Sequence, residues 1–175
     1  MNSSQIETLA KAAFVFPPGQ GAGCPHPVVN RDLIGKDPEV LAKAAGATIP
    51  RGTQLLIGET GADHLFVVEE QMMPFLPVVR VKSVAEGIAA SKKAELGYKH
   101  SAMIHSHDVA NMTAMARALE TTLFIKNGSC LAGLGSGGEG YSNFSIATTT
   151  GEGICNPRTF TRVRRCVMVD KLRIF

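Results

Sequence analysis

Three glycines, Gly133, Gly135 and Gly138, stand at the spacing G-x-G-x-x-G within the stretch GLGSGGEGYSNFSI. In a dinucleotide-binding loop such glycines let the backbone approach a pyrophosphate, and the helix that follows turns its N-terminal amides toward the charge. Here the residues after Gly140, YSNFSIATTT, are strand formers. The helix and its dipole are missing, so the context fails the fingerprint. What remains is a glycine-rich loop permitting close approach of other backbone or of a ligand.

Other residue types could do chemistry too. His100, His105 and His107 lie close in sequence, and the last two would share one face of a strand, a spacing open to metal binding. No acidic or cysteine partner stands at fixed spacing, so they read as ordinary strand-end histidines, and no metal site is expected. His26 and His64 add nothing to such a site. Cys130, in NGSCLAG, could be a nucleophile with neighbouring amides for an oxyanion. No base is fixed beside it, which favours a structural cysteine. Glu69 and Glu70 precede an apolar turn at Pro74 and read as a solvated pair capping that turn; Met72, Met73 and Met112 read as core filler.

The elements that must position these residues follow from periodicity and punctuation. Ile6, Leu9 and Ala13 give residues 4–15 a helical rhythm, stopped by Pro17 and Pro18. Residues 17–30, rich in proline and glycine, form an irregular loop that also holds Cys24. Asp37 before Pro38, with Gly46 beyond, brackets a short helix over 38–45. Residues 53–59 and 75–81 read as buried strands, and Ser83 with Glu86 forms a capping box for a helix over 84–96 bearing Val84, Ile88 and Ala89. A strand over 100–106, a helix capped by Asp108 and bearing Val109, Met112, Ala116 and Leu119, and a strand over 122–126 complete a β-α-β-α-β order. That order implies parallel strands with crossover helices, hence an α/β fold. After Asn127 the rhythm changes to a glycine-rich loop, a strand, a turn and a β-branched tail carrying Arg162, Arg164 and Arg165. Such a terminal strand commonly pairs with another part of the molecule or with a partner.

Composition bounds the function. The 175 residues are 45% hydrophobic with a mean hydropathy of +0.09, as in one globular α/β unit. The net charge of +3 is interspersed, which gives no reason to invoke nucleic acid. No apolar run approaches the ~18 residues of a membrane span, and the N-terminus lacks a secretory pattern, so a cytoplasmic protein is expected. Its four cysteines contain no C-x-x-C pair, and reduced thiols are the reading.

Taken together and in order, VVEEQMMPFLPVVRV, HSAMIHS, LFIKNGSCLAGLGSGGEG, TTTGEG and RTFTRVRRCVMVDKLRIF resemble the C-terminal part of CoA-acylating aldehyde dehydrogenases, in particular the propionaldehyde and acetaldehyde dehydrogenases of bacterial microcompartments. The resemblance runs from about residue 3 to Phe175 and is dense from Glu59 onward. It implies a chemistry in which a cysteine thiolate adds to an aldehyde, the adduct gives hydride to NAD, and coenzyme A removes the acyl group. It implies that Glu70 hydrogen-bonds the nicotinamide ribose, with Pro74, Phe75 and Pro77 behind it. It implies that the loop holding Asn127, Cys130, Gly133, Gly135 and Gly138 lies near the substrate and coenzyme A entrance. Residues 1–158 would then belong to the catalytic domain and 159–175 to an oligomerisation strand, with a microcompartment lumen as an alternative location.

Departures from the pattern matter as much. None of the four cysteines matches the family nucleophile, Cys130 falling instead at a downstream family cysteine, so no catalytic residue is assigned. The glycine-rich cofactor turn and the cofactor domain are absent from the sequence. The expectation is a segment that neither oxidises aldehydes nor binds NAD or coenzyme A tightly by itself, and that forms homo-oligomers or associates with an N-terminal half. The alternative is a non-catalytic assembly module associating with full-length subunits. Without the resemblance, a small nucleotide-binding α/β protein would remain.

Overall fold

A computed structural model describes residues 1–16, 27–140, 142–143, 145–146 and 153–169. The chain forms two units, Met1–Ala94 and Glu95–Phe175. The predicted proline loop, with Cys24 and His26, lies mostly outside the described residues, as does much of the strand expected after the glycine loop.

The first unit begins with α1 (Ser3–Ala13). Asn2 starts it through a capping box: its side chain accepts from the Gln5 amide at 2.9 Å, and the Gln5 side chain accepts from the Asn2 amide at 3.0 Å. Ile6, Leu9, Ala10 and Ala13 then bury one stripe. The chain leaves α1 directly into β1 (Phe14–Val15), which pairs antiparallel with β2 (Val28–Val29). Neither strand is signalled by the sequence, which reads residue 15 as helical and 28–29 as loop. Two residues are too few to set up a period, and the Asn30 amide donating to Ala13 O at 2.7 Å holds the pair from outside it.

Pro38 opens α2 (Pro38–Ala44), and Gly46 ends it at φ +69°. Asp37 flanks it as expected, but its side chain makes no capping hydrogen bond. Leu41 and Ala42 from α2 pack against the α1 stripe, and Leu33, Leu56, Phe66, Met73 and Phe75 complete one apolar core. The strands β3 (Leu56–Glu59) and β4 (Phe75–Val78) are parallel, with Leu56 opposite Phe75 and Glu59 opposite Val78. Between them lies a one-turn helix, α3 (Leu65–Val68). It has no counterpart in the sequence reading because four residues carry no helical period.

Helix α4 (Val84–Glu95) follows as predicted, although the capping box is shifted. The Glu86 amide donates to Ser83 Oγ at 3.2 Å, while the Glu86 carboxylate accepts from the Lys82 amide at 2.8 Å, not from that of Ser83. None of the α4 residues is fully buried. Gly87, Ala90, Ser91 and Ala94 line a cavity of about 220 Å³ with Val67, Val68, Val79 and Val81, whereas of the expected apolar residues Val84 and Ala89 are exposed and Ile88 is half-buried.

In the second unit β5 (Ser101–Ile104) and β6 (Leu123–Lys126) are parallel, joined through α5 (Val109–Leu119). The Asp108 side chain caps α5, accepting from the amides of Ala110 and Asn111 at 2.8 and 3.2 Å. The core here is smaller: Ala102, Leu119, Leu123, Ile125 and Cys155 are buried, whereas Val109 of the predicted α5 stripe is exposed. The α/β class with parallel strand pairs is therefore as read from the sequence. Pro157–Phe160 make a 3₁₀ turn, and residues 161–169 are exposed with no strand pairing among the described residues.

Candidate functional site

Glu70 sits where α3 gives way to β4. Phe66 anchors α3: it is buried, its ring edge-on to Phe14 at 5.0 Å and tilted against Phe75 at 4.6 Å. Glu69 ends the helix, its amide donating to Leu65 O at 2.9 Å. After Glu70 the backbone is fixed again, because Gln71 accepts from the Met73 amide at 3.0 Å and donates to Phe75 O at 3.3 Å. Met72 takes a left-handed φ of +45°, and its carbonyl accepts from the Gly35 amide at 3.1 Å. Phe75 is therefore a core residue beneath the segment, Pro74 is half-buried, and Glu70 is the exposed carboxylate that the turn presents. Among the described residues no hydrogen bond or ion pair engages that carboxylate, leaving it able to accept from a ligand hydroxyl.

The second cluster lies on the loop after β6. Asn127, at φ +56°, spends its side chain on the main chain of Ser106: Oδ1 accepts from the Ser106 amide at 2.8 Å and Nδ2 donates to the Ser106 carbonyl at 2.9 Å. It clips the end of β5 to the end of β6. His105 and His107 flank Ser106 beyond the strand end and are exposed, so the strand-face geometry expected of them is not realised. Among the described residues no group of three or more His, Cys, Asp or Glu is placed to hold a metal.

Cys130 opens a 3₁₀ turn (Cys130–Gly133), which the Ser129 hydroxyl caps by accepting from the Leu131 amide at 3.1 Å. Burial pushes its thiol above the usual cysteine value, and among the described residues no base is hydrogen-bonded to the sulfur. The position lacks the electropositive setting that activates a thiolate.

The glycine loop is folded onto itself. Leu134 and Gly140 pair in an antiparallel bridge, and the Ser136 amide donates to Leu131 O at 3.0 Å. A side chain at Gly133 would lie 2.9 Å from Leu123 Cδ2, one at Gly138 would lie 2.9 Å from Ala132 Cβ, and one at Gly140 would run into the Gly133 carbonyl. Gly135 and Gly137 have φ of +87° and +79°. The glycines thus answer to the tight return of the chain, a reason that ligand-binding spacing alone would not disclose.

Sequence reasoning passed over His64. The structure makes it the N-cap of α3, with Nδ1 accepting from the Phe66 amide at 3.2 Å and Nε2 lying 3.4 Å from a Glu7 carboxylate oxygen. The signal was in the sequence, in a polar residue two positions ahead of a buried aromatic, but histidine is not among the usual capping residues.

No helix among the described residues is long and apolar enough to cross a membrane. No family model matches the chain. It is 51% identical over 174 residues to the acetylating acetaldehyde dehydrogenase EutE of Salmonella typhimurium, covering 99% of this chain and 36% of that protein. Among solved structures, a propionaldehyde dehydrogenase from the fucose utilisation bacterial microcompartment of Clostridium phytofermentans aligns at a TM-score of 0.81 and 37% identity, over 99% of this chain and 38% of the other. The propionaldehyde dehydrogenase of Rhodopseudomonas palustris with bound propionyl-CoA aligns at 0.77 and 38% identity, over 94% and 34%. The chain spans about a third of the length of the curated relatives it matches, and the match is to their C-terminal part.

Proposed function

The chain belongs to the CoA-acylating aldehyde dehydrogenases, as their C-terminal part, and from that premise we propose that it contributes residues to the chemistry by which an aldehyde, NAD and coenzyme A become an acyl-CoA and NADH. The observation that carries this reading is Glu70: an exposed carboxylate on a turn braced by Phe66 and Gln71, in a sequence half identical to an acetylating acetaldehyde dehydrogenase. A braced carboxylate fits a ribose hydroxyl, accepting its proton in a charge-assisted hydrogen bond. NAD, when bound, supplies the hydride acceptor. Orienting the nicotinamide ribose is the part of the chemistry that falls to Glu70. The loop from Asn127 to Gly138 lines the approach of aldehyde and coenzyme A, with Asn127 and Ser129 shaping its start.

The thiol that attacks the aldehyde is not Cys130 in this reading. Its burial disfavours the thiolate, and covalent catalysis needs a thiolate beside a base. The test replaces the corresponding C-terminal part of the Salmonella enzyme by residues 1–175 and follows NADH formation from acetaldehyde and from propionaldehyde. The chimera is expected to turn over, and Glu70→Gln to raise KM for NAD by about tenfold or more, the cost of a hydrogen bond to a charged group. Cys130→Ala should leave turnover in place. An inert chimera, or one silenced by Cys130→Ala, would overturn the assignment. The 175-residue chain alone should form no NADH.

A second reading, an assembly module, has its own observation. Val163, Val167 and Val169 are 89, 80 and 83% exposed on a stretch that also carries Arg162, Arg164 and Arg165. We propose that residues 159–175 pair with another subunit. Deleting them should lower the oligomeric state seen by light scattering and abolish co-purification with a full-length relative; unchanged assembly would exclude the role.

A further inference from the structure

We infer that His64 is a positioning residue for Glu70, and that it holds the turn only while its ring is neutral. The inference rests on the reading of Glu70 as the ribose-binding carboxylate, but its structural half stands without it. The Nδ1 atom accepts from the Phe66 amide at 3.2 Å, so that nitrogen carries no proton and the ring proton of the neutral form sits on Nε2, which faces Glu7 Oε1 at 3.4 Å. The ring is stacked on Phe66, centroids 5.6 Å apart and planes 15° from parallel, and its side chain is only 14% exposed. The His64 carbonyl accepts from the amides of Val67 and Val68 at 2.8 and 3.2 Å. One residue thus closes the start of α3 through both its side chain and its main chain, and Glu70 follows two residues after the helix ends.

Protonating Nδ1 turns the acceptor into a donor facing the Phe66 amide. Two donors then oppose each other, and the amide of a half-buried turn loses its partner. The charged groups around the ring set the balance. Glu7 on α1 gains attraction to the imidazolium, but it is 63% exposed and screened by water. Asp63, next in sequence, is engaged by Lys93 of α4 at 2.5 Å. Neither replaces the lost cap, so acidification loosens α3 and with it the turn that presents Glu70.

The experiment is nitrogen-15 NMR of the intact 175-residue chain between about pH 8 and 6, where histidine changes charge and carboxylates stay ionised. The wild type is compared with His64→Asn, which keeps a capping acceptor but cannot titrate, and with Glu7→Gln. The expected results are an Nε2-protonated ring for His64 at the upper end, and Phe66, Glu69 and Glu70 amides that shift with the His64 midpoint. Protection of the Phe66 and Glu69 amides, corrected for intrinsic exchange, should fall about fivefold, the loss of one cap. In His64→Asn these movements vanish while the fold persists, and Glu7→Gln retains them. An Nδ1-protonated ring, or Glu70 shifts that survive in His64→Asn, would overturn the inference. In the chimeric enzyme, KM for NAD should rise on acidification in the wild type and less in His64→Asn, with kcat moving equally in both. If the NMR results hold and KM does not follow, the coupling of α3 to Glu70 stands and the ribose assignment of Glu70 is what fails.

Discussion

Replacing Gly140 by alanine and, separately, Gly137 by alanine separates two reasons for a glycine in one loop. Both have positive φ, +132° and +79°. Around Gly137 nothing lies within 4 Å of an added Cβ, so Gly137→Ala meets only the backbone cost of a left-handed residue, about 1 kcal/mol. At Gly140 the added carbon would collide with the Gly133 carbonyl, whose carbon would be 2.7 Å away, and would approach the Gly135 amide nitrogen to 3.2 Å. These atoms are backbone and cannot swing aside. The Leu134–Gly140 bridge must open, forfeiting about 0.5–1.5 kcal/mol per hydrogen bond on top of the conformational cost. The sum is about 2–4 kcal/mol for Gly140→Ala, against about 1 for Gly137→Ala. At roughly 4–8 °C per kcal/mol for a unit of this size, thermal unfolding resolves the two, and protection of the Ser136 amide reports the loop itself. Equal costs would refute the packing account. So would a Gly140→Ala chain with normal stability and an altered response to coenzyme A, because the glycine would then be there for a ligand.

Phe66→Ala should cost about 3–5 kcal/mol in a denaturant melt, since it empties the space between Phe14 and Phe75; a cost below 1 would mean that this aromatic cluster does not anchor α3. Arg80 donates through Nε and Nη2 to the two Glu59 oxygens at 3.0 and 2.8 Å, and these hydrogen bonds, with its charge, hold the Glu59 carboxyl below the usual range. The stabilisation is therefore present above the unfolded carboxylate value and is lost as pH falls through the lower folded one. NMR titration of Glu59 should return to the ordinary midpoint in Arg80→Gln, and in wild-type protein at high salt should move toward it. Iodoacetamide at pH 8 should label exposed Cys166 before Cys130, whose thiol is raised by burial, and the order should disappear in urea; faster labelling of Cys130 would reopen its candidacy as a nucleophile.

Long periodic elements and residues with a local mechanism were legible in the sequence. The four helices with a period or a cap, α1, α2, α4 and α5, lie within a few residues of where Ile6, Pro38, Ser83 and Asp108 put them. What escaped was structure that depends on distant partners. The turn α3 exists because Phe66 reaches Phe14, far away in sequence, as well as Phe75 on the next strand, and β1 because Phe14 and Val15 find Val29 and Val28. The residues of the candidate site show the same division. Glu70 could be singled out by resemblance, yet the braces that make its position definite, Gln71 to Phe75 and His64 to Phe66, are geometric. Asn127 follows β6 directly, and its clip to Ser106 spans two strand ends that only the fold brings together.

The strands of the first unit carry one more piece of information in their composition. A strand with one face in water alternates apolar and polar residues, whereas one covered on both faces reads as a continuous apolar run. LLIG and FLPVV are of the second kind. On one face Leu56, Gly58 and Phe75 pack inward, Gly58 so closely that a side chain there would sit 2.5 Å from Ile6 Cδ1. On the other, the register sets Ile57 beside Leu76, 55 and 50% exposed, with Val78 at 42% next along β4. At about 25 cal/mol per Å², leaving such side chains in water forgoes stabilisation that covering them would supply. Ile57, Leu76 and Val78 thus leave an apolar patch beside Glu59 on the second face of β3 and β4, and this patch, like the valines of the 161–169 stretch, is surface on which association with further polypeptide would gain free energy. The assembly reading draws on that surplus, which is why oligomeric state and turnover have to be measured on the same preparation.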